Sequence, residues 1–278
     1  MVIVTSGLDK NGKPCSFYMD GTLLRELTPI KKLVTKKNHY YCAIVAGPPG
    51  SGKSTFLKGP AKLSDPTFDE SRYCFSADEF IKKSNDLPPH SAIVLDESFE
   101  SLNTNVSRSK EFLRVLNHLQ IIRQKNLFIF LCLPNFFDLA KNVAIFLTSH
   151  LFLTYVDIHG DRGRFLAFGR PEKRRLYVIG KKFVDYNCVK ANFKARYPLA
   201  DHILDTKAYE RRKFLHLKRQ EKLIEVFDPK GFRNEVIYRL RKEYHFKNSQ
   251  LVNLFGLKRA MINLIIAKKS KEEANAKG

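Results

Sequence analysis

The residues best suited to chemistry lie in one ten-residue stretch, AGPPGSGKST at 46–55, which follows directly on the apolar run YYCAIV. Gly47, Gly52, Lys53 and Ser54 satisfy the pattern G-x-x-x-x-G-K-[ST], with a strand expected before it and a helix after it. The chemistry is phosphate binding. Gly47, Gly50 and Gly52, interleaved with Pro48, Pro49 and Ser51, let the backbone curl so that successive N–H groups face phosphate oxygens. The helix opening near Gly52 adds the positive end of its dipole. Lys53 suits the β- and γ-phosphate charge, the Ser54 hydroxyl suits a Mg²⁺ ligand, and Thr55 closes the stretch expected to line the nucleotide. The competing reading is a glycine-rich turn of no chemical consequence.

Such a loop needs a carboxylate opposite the Ser54 hydroxyl. AIVLDE supplies Asp96 at the end of a buried run, placed to hold the metal, and Glu97 next to it, placed to polarise water against a γ-phosphate. The pair also reads as two acidic residues capping a strand. Asn135, after LFIFLCLP, stands where a γ-phosphate sensor would sit, and it equally suits the N-cap of the segment that follows. Gln124 and Arg123 are weaker sensor candidates. Arg108, Arg114 and Arg123 are each possible arginines for a neighbouring subunit's site. Asp78 in FSADEF could bind an acceptor hydroxyl, as in phosphate-transfer kinases; the plainer reading is that Ser76 or Asp78 caps a short helix.

The elements that must hold these residues alternate between strand and helix. YYCAIVA, RYCFS, SAIVLDE and LFIFLCLP read as strands, while KSTFLKGPAKL, ADEFIKKS and SRSKEFLRVLNHLQIIRQK read as helices. The last has apolar residues at 112, 113, 115, 116, 119, 121 and 122. Continuous apolar strands alternating with helices imply a mainly parallel sheet covered on both faces. Residues 1–40 read as short strands and a basic helix. Beyond Asp138, the segment HLFLTYVDIHGDRGRFLAFGRPEKRRLYVIGKK shows three strand-like runs separated by GDRG and GRPEKR, the pattern of successive hairpins. A basic helix follows, TKAYERRKFLHLKRQEKLIEVF, broken at Pro229 and Gly231.

GPPGSGKST, IVLDES, the long helix ending IIRQKN, and LFIFLCLPNFFDL together resemble the additional-strand catalytic-glutamate division of P-loop ATPases. Within it, residues 35–185 look most like the HerA/FtsK-type and zonula-occludens-toxin-like DNA-handling ATPases of phages, archaeal viruses and mobile elements. The resemblance implies an α/β RecA-like core with a β-hairpin extension, ATP and Mg²⁺ as cofactors, ATP hydrolysis, assembly into a homo-oligomer such as a hexameric ring, and double-stranded DNA as the track. It also implies the cytoplasm of a prokaryotic host. The chain departs from the large pumps in being short, in lacking a long inserted domain, and in carrying Asn135 where they often have glutamine. No NKxD-like guanine-reading motif is evident, in keeping with ATP.

Composition bears on the partner. The 278 residues hold 49 Lys+Arg against 28 Asp+Glu. Residues 1–160 carry 19 basic and 15 acidic residues, and 161–278 carry 30 and 13, so the second half holds most of the excess. A polyanion such as DNA is the expected partner of that half; a solvated basic surface, or an anionic membrane surface, are the rivals. The five cysteines show no CxxC or Cys/His spacing, and Cys42 and Cys132, inside apolar runs, read as reduced core residues. Apolar runs are too short to span a bilayer of ~30 Å. No charged-then-apolar leader opens the chain, so export is not expected.

NSQLVNLFGLKRAMINLIIA resembles a helix-turn-helix. Aligning Gly256 on the turn glycine puts Leu251, Phe255, Leu257, Ile262 and Ile265 inward and leaves Lys258, Arg259 and Asn263 outward, suited to DNA. Val252 stands where a smaller residue is usual, and a plain three-helix contact module is the alternative. The expected organisation is therefore N-terminal strands and basic helix at 1–39, a P-loop core with hairpin extension at 40–190, a basic helical linker at 191–230, a small all-α module at 231–270, and a tail at 271–278. The function expected is an ATP-hydrolysing motor or assembly ATPase acting on a viral or mobile-element genome. The alternatives are a nucleoside or polynucleotide kinase and a nucleotide-switched DNA-binding regulator.

Overall fold

Every residue of β3 (Tyr41–Ala46) is buried, yet its neighbours face two different cores. Cys42, Ile44 and Ala46 enter one cluster; Tyr41, Ala43 and Val45 enter the other. Period-two alternation in a strand covered on both sides gives this result, and it explains why the run is apolar throughout. The computed structural model describes residues 1–96, 110–198, 202–226 and 229–276. The chain divides into two units, Met1–Lys213 and Phe214–Gly278.

The first unit begins with an antiparallel hairpin of β1 (Val2–Leu8) and β2 (Pro14–Met19), followed by α1 (Gly21–Lys36), whose N-cap Asp20 accepts from Thr22 and Leu23 amides. After β3 come α2 (Lys53–Ser64), β4 (Tyr73–Cys74), α3 (Ala77–Asp86), β5 (Ala92–Leu95), α4 (Lys110–Ile121) and β6 (Phe128–Leu133). Then follow β7 (His150–Tyr155), β8 (Arg164–Phe168), α5 (Arg170–Gly180), β9 (Phe193–Arg196) and α6 (Thr206–Val226). The seven-stranded sheet runs β4-β5-β6-β3-β7-β8-β9. β4, β5, β6, β3 and β7 are parallel, and β8 and β9 continue the sheet antiparallel. The fold is thus mixed α/β with a central, mostly parallel sheet.

β6 is inserted between β3 and β5, pairing Ala46 with Leu133 on one side and Leu95 with Leu131 on the other. Because the strands are parallel, their carboxyl ends lie at one edge, the usual ligand edge of an open α/β sheet. Gly47 and Asp96 both leave the sheet there.

One face is covered by Phe80 of α3, Val115 and Leu119 of α4, and Leu176 and Tyr177 of α5; the other by Phe17 and Met19 of β2, Leu23 and Leu27 of α1, and Phe56, Leu57 and Ala61 of α2. Val115 and Leu119 of α4, with Ile122 just after it, define the buried stripe, and Ile121 points to solvent at 68% exposure, so the apolar pattern is wider than the face.

The third strand-like run after GRPEKR is a correction. RLYVIG belongs to α5, and the strand pairing with β8 is β9, further on. Pro171 and Glu172 stand in the helix's first turn, where proline's missing N–H costs nothing and a carboxylate suits the dipole. Lys173, Leu176, Tyr177 and Gly180 then recur at helical spacing on the buried side.

In the second unit, α7 (Pro229–Lys242), α8 (Asn248–Phe255) and α9 (Arg259–Ala276) enclose a small core of Ile237, Leu251, Ile262 and Ile265. α8 ends at Gly256 with φ +64°, whose N–H closes on Val252 O at 2.9 Å. Asn248–Phe255 and Arg259–Glu272 bend by 109° about this turn. Val252, Phe255 and Leu257 pack at the edge of that core.

Candidate nucleotide site

The glycine-rich loop is shaped by what surrounds it. At Gly47, φ +152°, a Cβ would lie 2.3 Å from Thr154 O; at Gly52, φ +87°, it would lie 2.4 Å from the Tyr197 hydroxyl oxygen. Both positions therefore exclude a side chain on space as well as on backbone conformation. Ser51 Oγ and Thr154 Oγ1 hydrogen-bond at 2.7 Å, and Tyr197 donates to Ser51 O at 2.7 Å, so β7 and the end of β9 brace the loop from behind. Phe56 fixes the helix that follows, its ring 4.7 Å from Phe165 and 5.3 Å from both Phe152 and Tyr197. Pro48, Pro49 and Gly50 form the exposed tip, and Gly50 faces the Arg162 guanidinium at the β7–β8 turn.

Lys53 opens α2 directly after Gly52, the left-handed N-cap that has no side chain to offer. Its ammonium folds back on the Gly47 and Pro48 carbonyls at 2.7 and 3.0 Å. One residue on, Ser54 Oγ donates to Asp96 Oδ2 at 3.1 Å. Asp96 is 2% exposed, and its N–H is satisfied by Cys74 O of β4. Thr55 continues the helix at the rim.

Ser54 and Asp96 fit a hard cation. Both donors are oxygens, and the two are separated by about the edge of a Mg²⁺ octahedron, roughly 2.9 Å for ligands 2.0–2.1 Å from the ion. Among the described residues no group of three or more His, Cys, Asp or Glu is placed to hold a metal by itself.

A third side chain, from far along the chain, also reaches this pair. The Tyr209 hydroxyl of α6 donates to Asp96 Oδ2 at 2.6 Å and lies 3.0 Å from Ser54 Oγ. Burial, and then the Asp96 carboxylate beside it, push the phenol well above its ordinary range, so it keeps its proton. Burial likewise raises Tyr73, whose hydroxyl donates to Ser54 O at 3.1 Å. A tyrosine within a basic helical run carries no pattern that would have pointed 113 residues back to Asp96; only the fold brings them together.

Other predicted residues are placed as follows. Glu97 and Arg108 lie outside the described residues. Asn135 caps the turn Phe136–Asp138, its carbonyl oxygen accepting from Phe137 N at 3.3 Å and from the Tyr186 hydroxyl at 2.8 Å. Arg123 and Gln124 are exposed on the turn before β6. Asp78 is 76% exposed in the first turn of α3 and pairs with Arg114 at 2.7 Å, while Ser76 caps that helix through Glu79 N. Arg212, within the basic helical run, turns inward to Glu79 at 2.6 Å and to the Tyr73 carbonyl at 2.9 Å. In the second unit Lys258, Arg259 and Asn263 are exposed, and Asn263 Oδ1 accepts from Asn248 Nδ2 at 2.6 Å.

No protein-family model and no curated protein matches the chain. Among solved structures it is similar to the N-terminal domain of zonular occludens toxin from Neisseria meningitidis, at 18% identity and a TM-score of 0.39 over 62% of this chain and 98% of that one. It is also similar to the genome packaging NTPase B204 of Sulfolobus turreted icosahedral virus 2 in complex with AMP, at 10% identity and a TM-score of 0.35 over 48% of this chain and 94% of that one. The same NTPase in complex with ATPγS gives 12% identity and a TM-score of 0.34, with the same coverage.

Proposed function

We propose that the chain is a Mg²⁺-dependent ATPase that drives movement or assembly of DNA, in the manner of a packaging, translocating or replication-linked motor of a viral or mobile-element genome. The observation that carries this reading is the 3.1 Å approach of Ser54 Oγ to Asp96 Oδ2 beside the glycine-rich turn. When bound, Mg²⁺ supplies positive charge across the β- and γ-phosphates. The chain's own residues do the rest. The N–H groups of the loop's non-proline residues, Gly50 and Gly52 among them, and the α2 N-terminus cradle the phosphates, and Lys53 exchanges its two carbonyl partners for phosphate oxygens. Ser54 and Asp96 hold the metal side, and Glu97, assigned from sequence alone, orients water for attack. Asn135, assigned from sequence alone, would read the γ-phosphate through its amide nitrogen, since its carbonyl caps the turn that follows.

DNA is the proposed track because residues 161–278 hold most of the positive charge and because the small unit leaves Lys258, Arg259 and Asn263 exposed beside a 109° helix bend, within the usual range for helix-turn-helix units. A homo-oligomer, in the limit a hexameric ring, is the proposed working form, in the cytoplasm of a prokaryotic host. No single helix among the described residues is long and apolar enough to cross a membrane. Asp78 disfavours the kinase reading, since it is exposed and paired with Arg114.

The test is steady-state ATP hydrolysis with and without duplex DNA. Marked stimulation supports the motor. Loss of γ-phosphate only with an added nucleoside or polynucleotide acceptor would establish the kinase instead, and indifference to DNA the switch-like regulator.

A further inference from the structure

α6 does more than lead out of the first unit. Its residues 206–213 are tied to the nucleotide-loop side of the sheet at three independent places. Lys58 of α2 donates to Thr206 Oγ1 at 2.9 Å. Tyr209 packs its ring 4.9 Å from Tyr73 and 5.7 Å from Phe75 and sets its hydroxyl on Asp96 and Ser54. Arg212 donates to Glu70 O at 2.5 Å, to Tyr73 O at 2.9 Å and to Glu79 Oε1 at 2.6 Å, with its guanidinium over the Phe75 ring. Thr206, Tyr209 and Arg212 recur every three residues, so one face of the helix makes all three ties.

Resting on the reading of Ser54 and Asp96 as the metal-holding pair, we propose that residues 206–213 form an autoinhibitory strap whose latch is the Tyr209 hydroxyl. The latch uses the very oxygens the site needs. Its proton lies on Asp96 Oδ2, the oxygen that also receives the Ser54 proton, and its oxygen lies against Ser54 Oγ. The phenol hydroxyl thus offers the pair a hydrogen-bond donor at 2.6 Å where a cation requires bare lone pairs. Loading the site with metal and nucleotide and keeping the strap docked therefore compete, and each weakens the other by the same factor.

Tyr209→Phe retains the ring that packs on Tyr73 and Phe75 and removes the latch; Arg212→Gln loosens the strap from its other end with the latch intact. The measurement is binding of a fluorescent nonhydrolysable ATP analogue during a Mg²⁺ titration, with amide hydrogen exchange of residues 206–213 followed in parallel. Both variants should lower the Mg²⁺ midpoint at least fivefold, leave analogue binding in excess chelator unchanged, and show fast exchange over 206–213 without nucleotide. Wild-type protein should reach that fast exchange only with Mg²⁺ and analogue together. A Mg²⁺ midpoint unchanged or raised in Tyr209→Phe, or exchange over 206–213 that Mg²⁺ and analogue leave unchanged or slow, overturns the strap while analogue binding keeps the nucleotide site. Absence of analogue binding by all three proteins overturns the site itself, and the strap with it.

Discussion

Ser54 and Asp96, 42 residues apart in sequence, meet through a single hydrogen bond of 3.1 Å. The contact exists because β3 and β5 run parallel on either side of β6 and both release their chains at the same edge. If the pair holds Mg²⁺, Ser54→Ala and Asp96→Asn should each raise the Mg²⁺ concentration needed for tight nucleotide binding at least tenfold, with little effect on binding in chelator. A calorimetric titration of each variant with and without Mg²⁺ checks this.

Lys53 and Glu97 should separate binding from turnover. Lys53→Ala removes the charge that opposes two phosphates and should lower nucleotide affinity by tenfold or more, about 1.4 kcal/mol at the least. Glu97→Gln should bind as wild type and lose hydrolysis. Undiminished hydrolysis in Glu97→Gln would take that residue out of its assigned place.

At Gly52 two penalties coincide, a positive φ and a Cβ 2.4 Å from the Tyr197 hydroxyl. Gly52→Ala should destabilise the first unit by about 1–3 kcal/mol and abolish tight nucleotide binding. Combining it with Tyr197→Phe removes the close oxygen and leaves ring carbons at 3.4 Å and beyond, so the pair should recover part of the stability and none of the backbone cost. Urea unfolding of the two singles and the double gives the coupling.

Stability should depend on pH through Lys173. It is fully buried and donates to Thr148 Oγ1 at 2.6 Å, and burial pulls its pKa down to about 7 from 10.5. Between those values the unfolded chain holds the proton and the folded one does not, so stability rises with pH across about 7–10.5, at a limiting slope of about 1.4 kcal/mol per pH unit. Lys173→Met should flatten that rise in urea midpoints. His150, lowered by burial to about 4, adds the matching loss in acid, as pH falls from 6.5 toward 4.

In the second unit, Lys258→Ala with Arg259→Ala should weaken duplex DNA binding and reduce the slope of log K against log salt by about 2, leaving melting unchanged. Ile262→Ala, which empties part of the small core, should instead cost about 2–5 kcal/mol there.

The parallel strands and the loop were legible because both are written locally: apolar runs of strand length, and a motif complete within eight residues. The side chains that meet at the turn of the small unit were legible for the same reason. What was missed depends on distant partners. RLYVIG reads as a strand by its residues, and only the Pro171–Glu172 start and the burial of one helical face decide otherwise. Tyr209 and Arg212 looked like members of a solvated basic run, because nothing near them in sequence says that Asp96 and Glu79 are their partners. Asn135 kept both of its readings in sequence, and its carbonyl is seen to cap a turn.

The two margins of the large sheet are unequal in kind and alike in effect. β4 offers only two residues to a newcomer, and β9 offers four, among them Lys194 and Arg196. A stray strand from a neighbouring molecule finds too short a rail on one side and a row of like charges on the other, which is how soluble sheets avoid clumping at high concentration. Another copy approaching either margin of this sheet would therefore meet side chains before it met a long open backbone ladder.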